Sequence, residues 1–239
     1  MLTDILYSNY MEMKEQFISY CPAPPVKDMT FEEQDKFIEY LSTQPIAAQF
    51  ICLLYLETGC RTSEGLALTM GDLRRGVQCK TPCLYIPTLK QRRTKMVKGV
   101  RLTFPPRRLV PIRMKKIHPA HSLNFFSVCL DYVKFREKEK DEAQCIIWPY
   151  CPLLKQFDIK DKKQDVSRNC IHQTTKKIFT AIGCPELSTH SLRHTFAVNR
   201  LKEGCPLPVL QKLMGHADLK NLAIYLAPRQ EDLFKAMGQ

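Results

Sequence analysis

His190, Arg193 and His194 stand three and four residues apart, which places them on one face of a helix. Downstream, Gly215-His216 is followed nine residues later by Tyr225. These residue types together suit the handling of a phosphate. Guanidinium and imidazolium groups pair with its oxygens, and a phenolic oxygen can attack phosphorus. Each also has a plainer reading. Tyr225 beside Leu222, Ala223 and Leu226 fits a helix core, His216 fits a turn, and Arg193 fits a cap or an ion pair.

A second arginine stands far upstream, in Thr58-Gly59-Cys60-Arg61-Thr62-Ser63-Glu64. Two readings stay open for it. Either Gly59 ends a helix and Arg61 sits on a fixed turn, where Thr62 or Ser63 opens a short helix, or Arg61 is a surface residue paired with Glu64.

The net charge of +12 is unevenly placed. Residues 73–130 contain no Asp or Glu and hold fourteen basic residues, among them Lys90, Arg92, Arg93, Lys95, Lys98, Arg101, Arg107 and Arg108. Those fourteen set against +12 leave the rest of the chain at −2, so one segment carries the whole excess. A solvated basic face is the ordinary explanation of a charge run. A block this one-sided in a strand-like region favours a polyanion, nucleic acid first.

The elements that must position these groups can be read from pattern. Thr30-Phe31-Glu32-Glu33 fits a capping box and opens a helix to about Leu41. A second, apolar helix follows Pro45 and runs to Gly59. Residues 77–112 look like β-structure, with Cys83–Ile86 and Arg108–Ile112 as short strands and the basic tract 90–107 as a long loop between them. Helices are predicted over 122–140, 170–182, 190–201, 207–214, 219–226 and 231–237, and 155–169 reads as a polar loop. The prolines at 22, 24 and 25 mark a linker, dividing an extension over 1–29 from one unit over 30–239.

At 239 residues the chain is long enough to bury a sizeable core. It shows no apolar run of membrane-spanning length and no basic export signal, so a cytoplasmic location is expected. In that setting its eleven cysteines are expected to be reduced thiols. Cys79, Cys83, Cys145 and Cys151, with His118 and His121, suggest at most a weak zinc pattern.

Four motifs in order give the sequence a family likeness. They are Thr-Gly-x-Arg-x-Ser-Glu at 58–64, a basic hairpin ending in Arg-x-Val-Pro, His-x-Leu-Arg-His-Thr-Phe from His190, and Gly-His with a tyrosine nine residues later. Over residues 30–226 the chain resembles the catalytic domain of the tyrosine recombinase (phage integrase) family. That resemblance implies an α+β fold, mainly helical, with a small antiparallel sheet. It also implies site-specific strand cleavage and rejoining through a 3′-phosphotyrosyl link, without a cofactor or metal. Arg61 and Arg193 would clamp the scissile phosphate, Tyr225 would attack phosphorus, and His190 would assist proton transfer. His216 would hydrogen-bond the phosphate, Lys90 would protonate the leaving oxygen, and Glu64 would hold Arg61 in place. Lys95 and Lys98 compete with Lys90 for the acid role.

The implied partner is double-stranded DNA, gripped by Arg92, Arg93, Lys95, Lys98, Arg101, Arg107 and Arg108. A homo-oligomer is also implied, a tetramer on two DNA sites with accessory DNA-bending proteins, located at the nucleoid. The final helix is read equally as a docking element onto a neighbouring subunit or as packed on its own domain. The 29 residues before the catalytic unit are too short for the amino-terminal DNA-binding module of the family, which is expected to be absent. Two other functions stay open: a non-catalytic regulator using 207–226 as a helix-turn-helix, and a type IB topoisomerase-like nicking-closing enzyme.

Overall fold

The computed structural model describes residues 27–90, 93–97, 100–104, 106–115, 117, 123–137, 142–143, 145–147, 168–217 and 222. Tyr225, Arg92, Lys98, Cys151, His118 and His121 lie outside the described residues, as do the expected 1–29 extension up to residue 26, the helix over 231–237 and, Leu222 aside, that over 219–226. The side chains of 93–97 and 100–104 are likewise outside them.

In chain order the elements are α1 (Phe31–Ser42), α2 (Ile46–Thr58), α3 (Thr62–Leu66), α4 (Met70–Gln78), β1 (Cys83–Pro87), β2 (Arg93–Val97), β3 (Val100–Phe104), β4 (Arg107–Pro111), α5 (Phe125–Phe135), α6 (Arg168–Ala181), α7 (Thr189–Lys202) and α8 (Leu207–Met214). The fold is the mainly helical α+β arrangement that the sequence suggests. The capping box that opens α1 forms as read: the Glu33 N–H donates to Thr30 Oγ1 at 3.2 Å and the Thr30 N–H donates to Glu33 Oε2 at 2.7 Å.

The hub is α2. From Ala47 to Thr58 every residue but Gln49 is buried, the mark of a helix surrounded by others. α5, α7, α1 and α6 pack around it. Phe50 stacks on Tyr132 of α5 with ring centroids 4.1 Å apart, and Phe37 of α1 stacks on Phe179 of α6 at 5.3 Å. None of the described helices is long and apolar enough to cross a membrane.

The structure departs from the sequence reading in two places. Residues 70–78, of which the sequence pattern assigns only 77 and 78, to β-structure, form α4. Its signal is a second capping box, in which Thr69 Oγ1 accepts from the Asp72 N–H and Asp72 accepts from the Thr69 N–H, both at 3.1 Å. The basic tract is not a loop. β2 and β3 pair antiparallel within it, Arg93 opposite Phe104 and Val97 opposite Val100, while β1 pairs with β4. Thr94, Met96, Leu102 and Thr103 interleave with the basic residues, and such β-forming types suit a ladder.

Glu57 sits in the last turn of α2, 7% exposed, and its Oε2 has no hydrogen-bond partner among the described residues. Burial lifts its carboxyl above the usual range, and the opposing pull of Arg113 and Arg200 does not cancel this. The folded state therefore keeps this proton to higher pH than the unfolded chain, so stability declines as pH rises past the ordinary value of 4.5. Glu57→Gln is expected to raise the melting temperature at pH 8 by roughly 2–4 °C, from about 1 kcal/mol regained, and to leave it unchanged at pH 4. Thermal unfolding followed by circular dichroism at both pH values decides it. An equal shift at both would refute the assignment.

Candidate active site

Two far-separated segments meet at the end of α2. Gly59 caps the helix in the left-handed conformation, with φ of 58°, and turns the chain into Cys60 and Arg61. Arg193, in the first half of α7 and 5% exposed, donates from Nη1 to the Gly59 carbonyl. From Nη2 it donates to the Met214 carbonyl at 2.8 Å and contacts His216 Nε2 at 2.8 Å. One guanidinium thus ties the Arg61 turn to the Gly215-His216 turn.

The Arg193–His216 contact fixes the imidazole tautomer. A guanidinium has only donors, so His216 Nε2 accepts and the ring proton sits on Nδ1. Its pKa agrees. Burial first, then the charges of Arg193, Arg61 and Arg108, lower it to about 4, and His216 is neutral at physiological pH.

Arg61 combines the two readings left open for it: it stands on a fixed turn, and it is paired with Glu64, though only partly exposed. It is the N-cap of α3, and Glu64, three residues on, accepts from its backbone N–H at 2.9 Å and from its Nη1 at 3.0 Å. Glu64 is fully buried, and its Oε2, which takes the Arg61 N–H, also accepts from Arg108 Nη2 at 2.9 Å. Burial alone would push the Glu64 carboxyl up. The Arg108 charge, with help from the Arg61 N–H and guanidinium, outweighs it and holds the group below the usual carboxylate range.

His190 lies at the exposed start of α7. Its pKa is lowered by partial burial and then by Arg193, Arg61, His172 and Lys90, so these groups act on one imidazole. Lys90 itself is exposed in the turn after β1. His194, the other ring of the motif, is half-buried on the side of Asp28, and burial and His190 bring it down to about 4. Arg61, Lys90, His190, Arg193 and His216 thus share one electrostatic neighbourhood.

Of the basic residues expected to face a polyanion, Arg93 and Lys95 lie in β2 and Arg101 in β3. Arg107 is half-exposed and pairs with Asp72 at 2.8 Å. Arg108 departs from the expectation. It is 9% exposed and turned inward, because alternation along β4 puts Arg108 and Val110 on the core side and Arg107 and Leu109 outside. That period-two signal was present in the sequence, where the run of basic residues concealed it. His172, on α6, adds its charge to the surroundings of His190 and is marked by no motif.

The residues matched by the model of the phage integrase family are 27–232, which is most of the chain and includes every residue placed above. The chain belongs to the phage integrase family. Among its relatives, a tyrosine recombinase XerC of Thermodesulfovibrio yellowstonii is 28% identical over 206 residues, covering 83% of this chain and 57% of that protein. A tyrosine recombinase XerD of Neisseria meningitidis serogroup B is 37% identical over 67 residues, 28% of this chain and 23% of that one. The integrase-family chain therefore spans only part of the length of these curated relatives. In structure it resembles a XerA recombinase, with a TM-score of 0.62 at 16% identity, covering 92% of this chain and 65% of that one. It also resembles a XerH site-specific recombinase bound to its difH substrate before cleavage, with a TM-score of 0.57 at 19% identity, covering 91% and 55%. At such identities the likeness is one of fold.

Proposed function

We propose that this integrase-family chain is a site-specific recombinase whose catalytic unit, residues 30–239, cleaves and rejoins double-stranded DNA through a 3′-phosphotyrosyl intermediate. The observation that supports the reading is that Arg193 bridges the Gly59 turn that leads into Arg61 and the turn of His216, with His190 and Lys90 within electrostatic reach of the same arginines.

In this reading Arg61 and Arg193 bind the non-bridging oxygens of the scissile phosphate, where negative charge grows as phosphorus is attacked. Both guanidiniums are already held, Arg61 by Glu64 and Arg193 by two backbone carbonyls, so little reorganisation accompanies the reaction. The Tyr225 phenolic oxygen forms a bond to phosphorus and the bond to the 5′-oxygen breaks. The phenolic proton passes to His190, whose lowered pKa leaves it neutral and able to accept. Lys90, or Lys95 or Lys98 in its place, gives a proton to the departing oxygen. The neutral His216 presents Nδ1–H as a phosphate donor. Attack by a 5′-hydroxyl of another strand reverses these steps, and exchange between two DNA sites calls for several protomers.

The test is incubation of the full chain with nicked suicide substrates, followed by a denaturing gel. A covalent protein–DNA adduct is expected, lost in Tyr225→Phe while DNA binding persists. Binding without an adduct on any substrate would replace this reading with that of a non-catalytic DNA-binding regulator. Relaxation of supercoiled DNA without a specific site would replace it with that of a topoisomerase.

A further inference from the structure

Arg108 touches the surroundings of three of the reacting groups at once. Its Nη2 donates to Glu64 Oε2 at 2.9 Å, and Glu64 holds Arg61. Its Nη1 donates to Thr88 Oγ1 at 3.2 Å, two residues before Lys90. Its Nε donates to the Leu213 carbonyl at 2.8 Å, three residues before His216. The turn that carries His216 rests directly on this guanidinium: a Cβ on Gly215 would lie 2.9 Å from Arg108 Nη1 and 3.1 Å from Thr88 Cγ2. Arg108 and Glu64 are both buried, so water cannot stand in for these bonds.

We infer that Arg108 is a positioning residue that sets Arg61, Lys90 and His216 in register with one another, a role that rests on the recombinase reading. A planar fork with donors on three sides fits three acceptors on α3, the β1 turn and the end of α8. Lysine carries the same charge but concentrates it at one point and cannot span them. The bonds are internal to the protein, so Arg108 acts through its neighbours and its loss should leave the affinity for DNA nearly unchanged.

The test compares wild type with Arg108→Lys, Arg108→Met and the double variant Glu64→Gln/Arg108→Met. Adduct formation is followed in single turnover, with melting temperature and DNA affinity measured beside it. Arg108→Lys is expected to lower the cleavage rate on the order of 10²-fold at unchanged DNA affinity, as for a misplacement of about 1 Å among reacting groups. Arg108→Met strands the Glu64 charge and should also lower the melting temperature. The double variant removes that charge. Recovery of the melting temperature without recovery of the rate supports positioning. Recovery of both would show that Arg108 only neutralises Glu64 and would overturn the inference, as would a rate within threefold of wild type in Arg108→Lys.

A second measurement needs no activity. Nitrogen NMR of the His216 ring should show the Nδ1–H tautomer in wild type and a mixture in Arg108→Lys, because the Leu213–Gly215 turn loses its rest. An unchanged ring spectrum would overturn the inference even if no substrate were ever cleaved. A wild type that forms no adduct while the ring spectrum shifts in the variant would instead count against the recombinase reading alone.

Discussion

Arg193→Lys should lower the rate of covalent adduct formation by on the order of 10²–10³-fold, the loss that follows removal of one preorganised donor from a developing anion. The variant keeps the positive charge, so a large effect isolates geometry from charge. Arg193 is held by the carbonyls of Gly59 and Met214 and by His216 Nε2. A lysine ammonium placed to reach one of these leaves the other two. His216 then loses the donor that fixes its tautomer, so two of the proposed phosphate contacts would be disturbed by one substitution. Single-turnover cleavage of a nicked substrate gives the rate, and fluorescence anisotropy at the same salt concentration gives the affinity. Affinity should change far less than rate, since most phosphates of a bound duplex are contacted elsewhere. A rate within threefold of wild type would remove Arg193 from the phosphate site.

The local parts of this site were legible and the convergent parts were not. The Thr30 capping box, the Gly59 stop and the His190 helix each follow from residues within one or two turns of one another, where types and spacing carry the signal directly. Arg193 and Gly59 are 134 positions apart, and nothing in either segment names the other. Only the ordered set of motifs linked them. Arg108 was legible in principle by alternation with Val110, yet the basic run around it suggested a solvent-facing role. Two buried side-chain acceptors, Glu64 and Thr88, and the part-buried Leu213 carbonyl, none recognisable from a local pattern, reverse that preference. Similarly, β2 and β3 are masked in the sequence by the density of charge around their β-forming residues. The nucleophile assignment still rests on sequence, with Tyr225 outside the described residues.

Since the site is assembled at the end of α2, the residue there should tolerate no side chain. Gly59 combines two constraints. Its φ of 58° disfavours any L residue by about 1–2 kcal/mol. A Cβ would also overlap Phe196 Cδ1 and lie 2.9 Å from Met214 Sδ, an overpacking that typically costs about 1–3 kcal/mol. Gly59→Ala should therefore destabilise the chain by about 2–5 kcal/mol, a large share of the roughly 5–15 kcal/mol of a typical domain. Gly183 isolates the first constraint, because its φ is 80° and none of the described residues lies within 4 Å of its Cβ position. Gly183→Ala should cost only about 1–2 kcal/mol. Urea unfolding of both variants separates the terms. Equal losses would mean that the Phe196 and Met214 contacts yield without penalty. A larger loss in Gly59→Ala, accompanied by a slower cleavage rate at temperatures where the variant is still folded, would tie the packing at this one position to the seating of Arg193 on the Gly59 carbonyl.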